Sequence, residues 1–218
     1  MLKFTTGNLD FALRPPKVKA DLQRAAALSD VICFQEAKNV NVNKLLLDPR
    51  WKTNQVFTSP AEQGSGVAWN SAVLTKGRSG SQVGVKPGRF RMLTRHISWV
   101  NLRFVEDGQL KKVRVVSLHL PPKRYRVLTP AMLASLAGLI RATRIPLMIG
   151  GDWNKLVKTD KTLQRFAKAA GGKFYGFGID GFLFVPKKQK KWRVRNVRKI
   201  RNLNTDHRYF VNLELLTK

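Results

Sequence analysis

Short apolar runs of strand length recur along the chain and alternate with stretches whose apolar residues fall at helical spacing. LKFTT runs into Gly7, Asn8, Leu9 and Asp10; VICF into Gln35 and Glu36; VRVVSL into His119; PLMIG into Asp152, Trp153 and Asn154. Three segments read as helices. PPKVKADLQRAAALSD opens on proline and repeats apolar residues at Val18, Leu22, Ala25, Ala26 and Leu28; TPAMLASLAGLIRAT has Thr129 as its expected N-cap; KTLQRFAKAAGG ends on a glycine stop. YGFGIDGFLFV and HRYFVNLELL supply further strands. In the middle, SGVAWNSAVLTK and RHISWVNLRFVEDGQLKKVRVVSLHL read as strands joined by turns, with Asp107-Gly108 closing an antiparallel hairpin, while the glycine-rich KGRSGSQVGVKPGR is expected to be a mobile surface loop. Strands alternating with helices, together with an antiparallel pair, predict an α/β layered domain with a mixed sheet rather than a doubly wound one. With no internal repeat and no linker, residues 1–218 are expected to form a single domain.

Charge changes the picture. Lys and Arg number 41 against 13 Asp and Glu, a net charge of +28, so the chain repels itself unless a polyanion neutralises it. Nucleic acid or an anionic membrane surface is the natural partner. The apolar share of 43% is ordinary for a folded domain, which excludes a wholly disordered basic tail. Cys33 is the single cysteine, so the chain has no internal disulfide partner and no cysteine metal cluster; its place in an apolar run predicts a packed thiol. No run reaches the roughly 18 apolar residues of a membrane span, and MLKFTTGNLD lacks the apolar core of a signal peptide. These features predict a monomer in the cytoplasm or associated with the nucleoid.

Against this excess of cations, the acids at strand ends stand out. Polar groups there are held rigidly yet face a crevice, where α/β sheets build their sites. Asn8, Asp10, Glu36, His119, Asp152, Asn154, Asp180, Asp206 and His207 are therefore expected to converge. Clustered carboxylates call for a cation, and hard oxygen donors favour Mg²⁺ or Mn²⁺. Three histidines without an HExxH pair, and no second cysteine, disfavour zinc.

The ordered set GNLD (7–10), QE (35–36), SAVLTK (71–76), SLHL (117–120), GGDWN (150–154), IDGFLF (179–184) and TDH (205–207) resembles the DNase I-like endonuclease/exonuclease/phosphatase superfamily. The resemblance implies a four-layer sandwich of two mixed β-sheets flanked by helices, and hydrolysis of phosphate esters with Mg²⁺ or Mn²⁺. It implies Glu36 as principal metal ligand with Asn8 and Asp10, and Asp206 for a second ion. Asp152 would orient or deprotonate the attacking water, and Asn154 would bind the phosphate. His207, its ring held by Asp180, would contact the scissile phosphate or act as acid/base, with His119 across from it as general acid or transition-state donor. Gly150 and Gly151 would let the backbone turn, leaving Asp152 and Asn154 facing the phosphate if the segment stays extended. A tyrosine occupies the His119 position in branches that cut abasic sites, so this chain looks closer to the DNase and phosphatase branches. Trp153 stands where the family more often has Phe and is expected to pack in the wall.

Simpler readings stay open. Asp10 fits a turn or cap equally well, Asp180 fits a hairpin turn, and Arg95 fits either a phosphate contact or a solvated strand face. The basic stretch PKKQKKWRVRNVRKIRN (186–202) fits a charged edge strand, yet it joins Asp180 to Asp206 and His207. Lys190, Lys191, Arg193 and Arg195 within it are expected to bind nucleic acid, along with Arg95 and with Lys123, Arg124, Tyr125 and Arg126 after His119. The sequence thus points to a metal-dependent nuclease acting on DNA with weak sequence preference. A phosphomonoesterase or lipid-phosphate phosphodiesterase of the same fold, or a DNA-binding protein without chemistry, are the alternatives.

Overall fold

The computed structural model describes residues 1–10, 12–37, 40–56, 64–86, 94–189 and 191–217. One six-stranded sheet contains β1 (Leu2–Asn8), β2 (Val31–Gln35), β3 (Trp51–Gln55), β4 (Gly66–Asn70), β11 (Trp192–Arg201) and β12 (Tyr209–Thr217), in the order β11-β12-β1-β2-β4-β3. The other contains β5 (Thr75–Val85), β6 (Arg95–Glu106), β7 (Gln109–His119), β8 (Leu147–Asp152), β9 (Lys173–Phe177) and β10 (Asp180–Val185), in the order β5-β6-β7-β8-β10-β9. Each sheet has one parallel pair at its centre, β1 with β2 and β7 with β8, and is otherwise antiparallel.

Apolar side chains on the facing sides of the two sheets, among them Phe4, Val31, Cys33, Val115, Met148 and Phe182, form the central core. Helices α1 (Pro15–Ala27) and α2 (Val42–Leu46) cover the first sheet through Val18, Leu22 and Leu46, and α3 (Thr129–Arg141) and α4 (Lys161–Ala169) cover the second through Met132, Leu136 and Leu163. The result is a four-layer sandwich of two mixed sheets between helices. No helix among the described residues is long and apolar enough to cross a membrane.

Local chemistry explains most boundaries. Asp107 and Gly108, with φ of 53° and 70°, make the two-residue turn between β6 and β7. Helix α4 starts at Asp160, which accepts from the Leu163 N–H, and stops at Gly171, whose N–H meets the Lys168 carbonyl while that of Gly172 reaches Ala167. Three expectations change. Thr129 is the first helical residue of α3 rather than its cap, because a 3-10 helix over Lys123–Leu128 runs directly into it. The glycine-rich stretch expected as a loop is strand β5 as far as Val85, where pairing with β6 supplies its backbone hydrogen bonds; its residues 87–89 lie outside the described residues.

Gly150 and Gly151 do not turn the chain either; both lie within β8. A Cβ on Gly150 would sit 2.7 Å from the Cβ of Cys33, and one on Gly151 would sit 2.5 Å from the Leu118 carbonyl. They allow close approach between and within the sheets. Cys33, wholly buried with its thiol pushed up to about 12 by burial, is the packed group expected from sequence. Gly150→Ala is expected to cost about 1–3 kcal/mol by overpacking. Gly138→Ala, on an open face of α3, is expected to stabilise by about 0.4–1 kcal/mol. Urea unfolding of both variants tests the contrast.

Candidate active site

The carboxyl ends of the two parallel pairs lie at one rim of the sandwich, and the strands antiparallel to them start there. Asn8 ends β1, Glu36 follows β2, His119 ends β7 and Asp152 ends β8, while Asp180 opens β10 and His207 precedes β12. Strand register sets these groups side by side, for Asp152 pairs with His119 on one neighbour and Asp180 on the other.

Asp152 is the hub. Its Oδ2 accepts from Asn8 Nδ2 at 3.2 Å, across the gap between the sheets, and lies 3.1 Å from His119 Nε2 and 3.7 Å from His207 Nε2. Its Oδ1 accepts the Asn154 N–H at 2.8 Å. Burial works against its charge, but His119, His207 and the Asn154 N–H outweigh burial and hold the carboxyl at about 2. Asp180 Oδ2 lies 2.8 Å from His207 Nδ1. Burial, with the charges of Asp152 and Asp206, lifts Asp180 to about 6 against that bond. For His207, burial favours the neutral ring, yet the bond to Asp180 and the charges of Asp180, Asp152 and Asp206 prevail and raise it to about 9.

The remaining expected residues fall into place unequally. Glu36 adopts a left-handed backbone, φ 58°, and its Oε1 lies 3.5 Å from His119 Nδ1. Asn154 is left-handed as well, φ 48°, so the segment is not extended there as the sequence suggested; its side-chain amide donates to the Leu120 carbonyl at 2.8 Å. Trp153 is fully buried beneath the rim, donating to Gly181 and meeting Phe174 edge-on. Asp10 makes a turn, its carboxylate accepting the Ala12 N–H, and lines a recess of about 260 Å³ together with Glu36. Asp206 is exposed, 3.8 Å from His207 Nε2.

Among the basic residues, Lys123, Arg124, Tyr125 and Arg126 form the 3-10 helix that follows His119, with the Arg124 guanidinium 5.0 Å over the Tyr125 ring. Arg95 is not on a solvated strand face. It is 3% exposed, and its guanidinium contacts His119 Nδ1, so that nitrogen is the acceptor of the pair. Burial lowers Arg95 to about 10, with Glu36 and Asp152 opposing, so it stays charged. Lys191, just before β11, and Arg193 and Arg195 within it stand at the end far from the site: Arg193 and Arg195 pair with Leu216 and Glu214, roughly 20 Å or more along β12 from His207 at the ordinary strand rise. The end of β11 near the site carries Lys199 and Arg201 instead. Lys190 lies outside the described residues.

Structures with the same arrangement of elements make the comparison direct. An endonuclease/exonuclease/phosphatase from Bacteroides vulgatus matches with a TM-score of 0.72 at 14% identity, covering 99% of each chain. The Bacteroides thetaiotaomicron mannosyl-6-phosphatase matches at 0.69 and 15%, covering 99% of this chain and all of that one. D. rerio TDP2, complexed with a single-strand DNA product, matches at 0.71 and 13%, covering 99% of each. The fold is that of the endonuclease/exonuclease/phosphatase proteins. No protein-family model and no curated protein matches the sequence itself.

On this endonuclease/exonuclease/phosphatase scaffold, two groups outside the expected site residues hold the rim in position. Asp21 of α1 is buried and accepts from the Asn204 N–H at 3.0 and 2.9 Å and from its side chain at 2.8 Å, which pins the segment carrying Asp206 and His207. Gln35 donates to Ser117 Oγ at 3.0 Å, and that hydroxyl donates to the Phe34 carbonyl at 2.9 Å, joining the sheets below the site. The place of Asp21 among the apolar, buried positions of an otherwise basic helix is the signal in the sequence that could have found it.

The residues fit a hard divalent cation. Asp152, Asp180 and His207 present ligand atoms within 4.8 Å of one another, and Asp180 Oδ1 is buried with no hydrogen-bond partner among the described residues. Glu36 and Asp10 add oxygen donors beyond His119.

The raised pKa of His207 sets a pH dependence for the metal-free protein. Its contribution to stability is fully present below pH 6.5 and is lost as pH rises through about 9. Asp180, also raised, adds a loss between about pH 4 and 6; Asp152, lowered, contributes above pH 3.8 and fails as pH falls towards 2. Urea unfolding in EDTA is expected to show stability falling from pH 6.5 to 9, and His207→Asn is expected to flatten that fall. An unchanged slope in the variant would assign the titration elsewhere.

Proposed function

We propose that the protein is a metal-dependent nuclease that hydrolyses phosphodiester bonds in DNA with little sequence preference. The observation that carries this reading is the convergence on buried Asp152 of Asn8, His119 and His207 from separate strand ends, in a chain of net charge +28. Acids collected at one rim gain nothing in a pure polyanion binder, whereas phosphoryl transfer needs a positioned water and spread charge.

Mg²⁺ or Mn²⁺ would be held by Glu36 and Asn8, with Asp152, Asp180, Asp10 or Asp206 as the further oxygen donors. When bound, the cation neutralises the developing charge on the phosphate oxygens. The side chains of this protein do the rest. Asp152, held ionised at about 2, is a weak base and accepts a hydrogen bond from the attacking water, orienting it in line with the phosphorus. His207, protonated at neutral pH and steadied by Asp180, donates from Nε2 to a non-bridging or leaving oxygen. His119, with Nδ1 accepting from Arg95, directs Nε2 to the Asp152 side of the site, where it serves as general acid or as a donor to the transition state. The Asn154 amide and the buried Arg95 charge complete the phosphate environment.

A phosphomonoesterase is the second reading, favoured by the mannosyl-6-phosphatase neighbour. Supercoiled plasmid incubated with Mn²⁺ is expected to be nicked, EDTA to abolish nicking, and Glu36→Ala to slow it by about 10³-fold. Raising salt from 50 to 200 mM is expected to weaken DNA binding by about 10³ to 10⁵ if six to ten phosphates are engaged. Hydrolysis of sugar phosphates with plasmid left intact would replace the nuclease reading with the phosphatase one; shifted but uncut plasmid with no esterase activity would leave a binder.

A further inference from the structure

Two lysines distant in sequence each lie against the ring of Phe177, beside the Asp180–His207 pair. Lys158 Nζ and Lys199 Nζ each lie 5.1 Å from the centre of the Phe177 ring, and Lys199 Nζ is also 4.3 Å from the centre of the Tyr209 ring. Tyr209 donates to the Phe177 carbonyl at 3.0 Å, which locks the two rings together. Phe177 pairs directly with Asp180 across the β9–β10 hairpin, and Tyr209 lies two residues after His207. Both rings are half-buried, both lysines are exposed, and no salt bridge to either ammonium occurs among the described residues. Lys155, in the same loop as Lys158, is by contrast paired with Asp160 at 2.9 Å.

Bringing two like charges to one ring is unfavourable by itself, and the ring faces offset it only in part. Such a pair is suited to an anion with several oxygens. On the other side of the rim, the 3-10 helix carries Lys123, Arg124 and Arg126. The scissile position thus lies between two cationic flanks, more than a single phosphate needs.

We infer that Lys158, Lys199, Phe177 and Tyr209 form a subsite for a second phosphate of the substrate, flanking the one that is cut, with the adjoining sugar or base against the rings. The inference rests on the nuclease reading and sharpens it: the substrate is a chain of phosphodiesters rather than an isolated phosphate ester. The flanking phosphate fixes the strand's direction across the site.

Binding of a fluorescent ten-nucleotide single strand, followed by anisotropy in EDTA so that nothing is cut, tests the subsite apart from catalysis. The Lys158→Ala/Lys199→Ala protein is compared with Arg165→Ala/Lys168→Ala, which removes two exposed charges from α4. The subsite variant is expected to bind at least about tenfold more weakly than the control variant, and its salt slope to fall by about 0.7 to 1.4, the value for one or two phosphate contacts on a single strand. Lys158→Arg/Lys199→Arg should restore most of the affinity. Equal losses in the two alanine variants would overturn the subsite, since only net charge would then matter. In Mn²⁺, bis(p-nitrophenyl) phosphate, which has one phosphate, should be hydrolysed equally by wild type and the subsite variant, while the oligonucleotide KM rises in the variant. A matching loss on both substrates would also overturn the subsite. Wild type inert on both substrates would remove the nuclease reading, and the anisotropy comparison would then decide the phosphate subsite by itself.

Discussion

A single buried negative charge organises the rim. Asp152 is 2% exposed, and a carboxylate at that depth persists only if its lone pairs are met. Asn8, His119, His207 and the Asn154 N–H meet them, and they arrive from β1, the end of β7, the segment before β12 and the turn after β8. The contact with Asn8 crosses from one sheet to the other. It needs the sheets close together at the rim, and the bare Cα of Gly150 against Cys33 permits this. Packing in the interior and electrostatics at the surface are therefore one problem, solved by the same few residues.

The charge distribution follows the same logic at larger scale. Asp10, Glu36, Asp152, Asp180 and Asp206 are 5 of the 13 acids of a strongly basic chain, and all lie at or beside one rim. A polyanion is drawn to the protein as a whole and repelled locally where the carboxylates gather, unless a cation is present there. On the proposed nuclease reading, long-range attraction and local repulsion together would make productive docking conditional on a cation at the rim. Arg95, buried and charged beside His119, is the fixed local counterweight.

Much of this was legible in the sequence, because each strand announces its end with a polar residue and the period of the apolar positions separates strands from helices. Asn8, Glu36, His119, Asp152, Asp180 and His207 could be named on that ground. What could not be read was register and facing. Lys191, Arg193 and Arg195 belong to a stretch that does approach the site, yet the strand runs away from it, and only the pairing with β12 shows that Lys199 and Arg201 are the near end. Arg95 stayed open between a phosphate contact and a solvated strand face because a strand's period does not tell a sealed face from an open one at its terminus. The two glycines before Asp152 suggested a turn, whereas they serve close approach, Gly150 to Cys33 across the sandwich, a demand set more than a hundred positions away, and Gly151 to the Leu118 carbonyl of the neighbouring strand. β5 was hidden by its glycines, since pairing with β6 overrides their weak strand propensity.

The first strand of the sandwich lies beside its last, with Leu2 opposite Leu215 and Thr6 opposite Val211. His207 enters on the segment that leads into that final strand, so Asn8, Glu36, His119 and Asp152 can all be in the chain while the rim still lacks its second histidine. The set around Asp152 closes only when β12 pairs with β1, a contact between strands at opposite ends of the described sandwich. The topology acts as a built-in delay: most members of the rim are synthesised early, and their assembly waits for the closing strand.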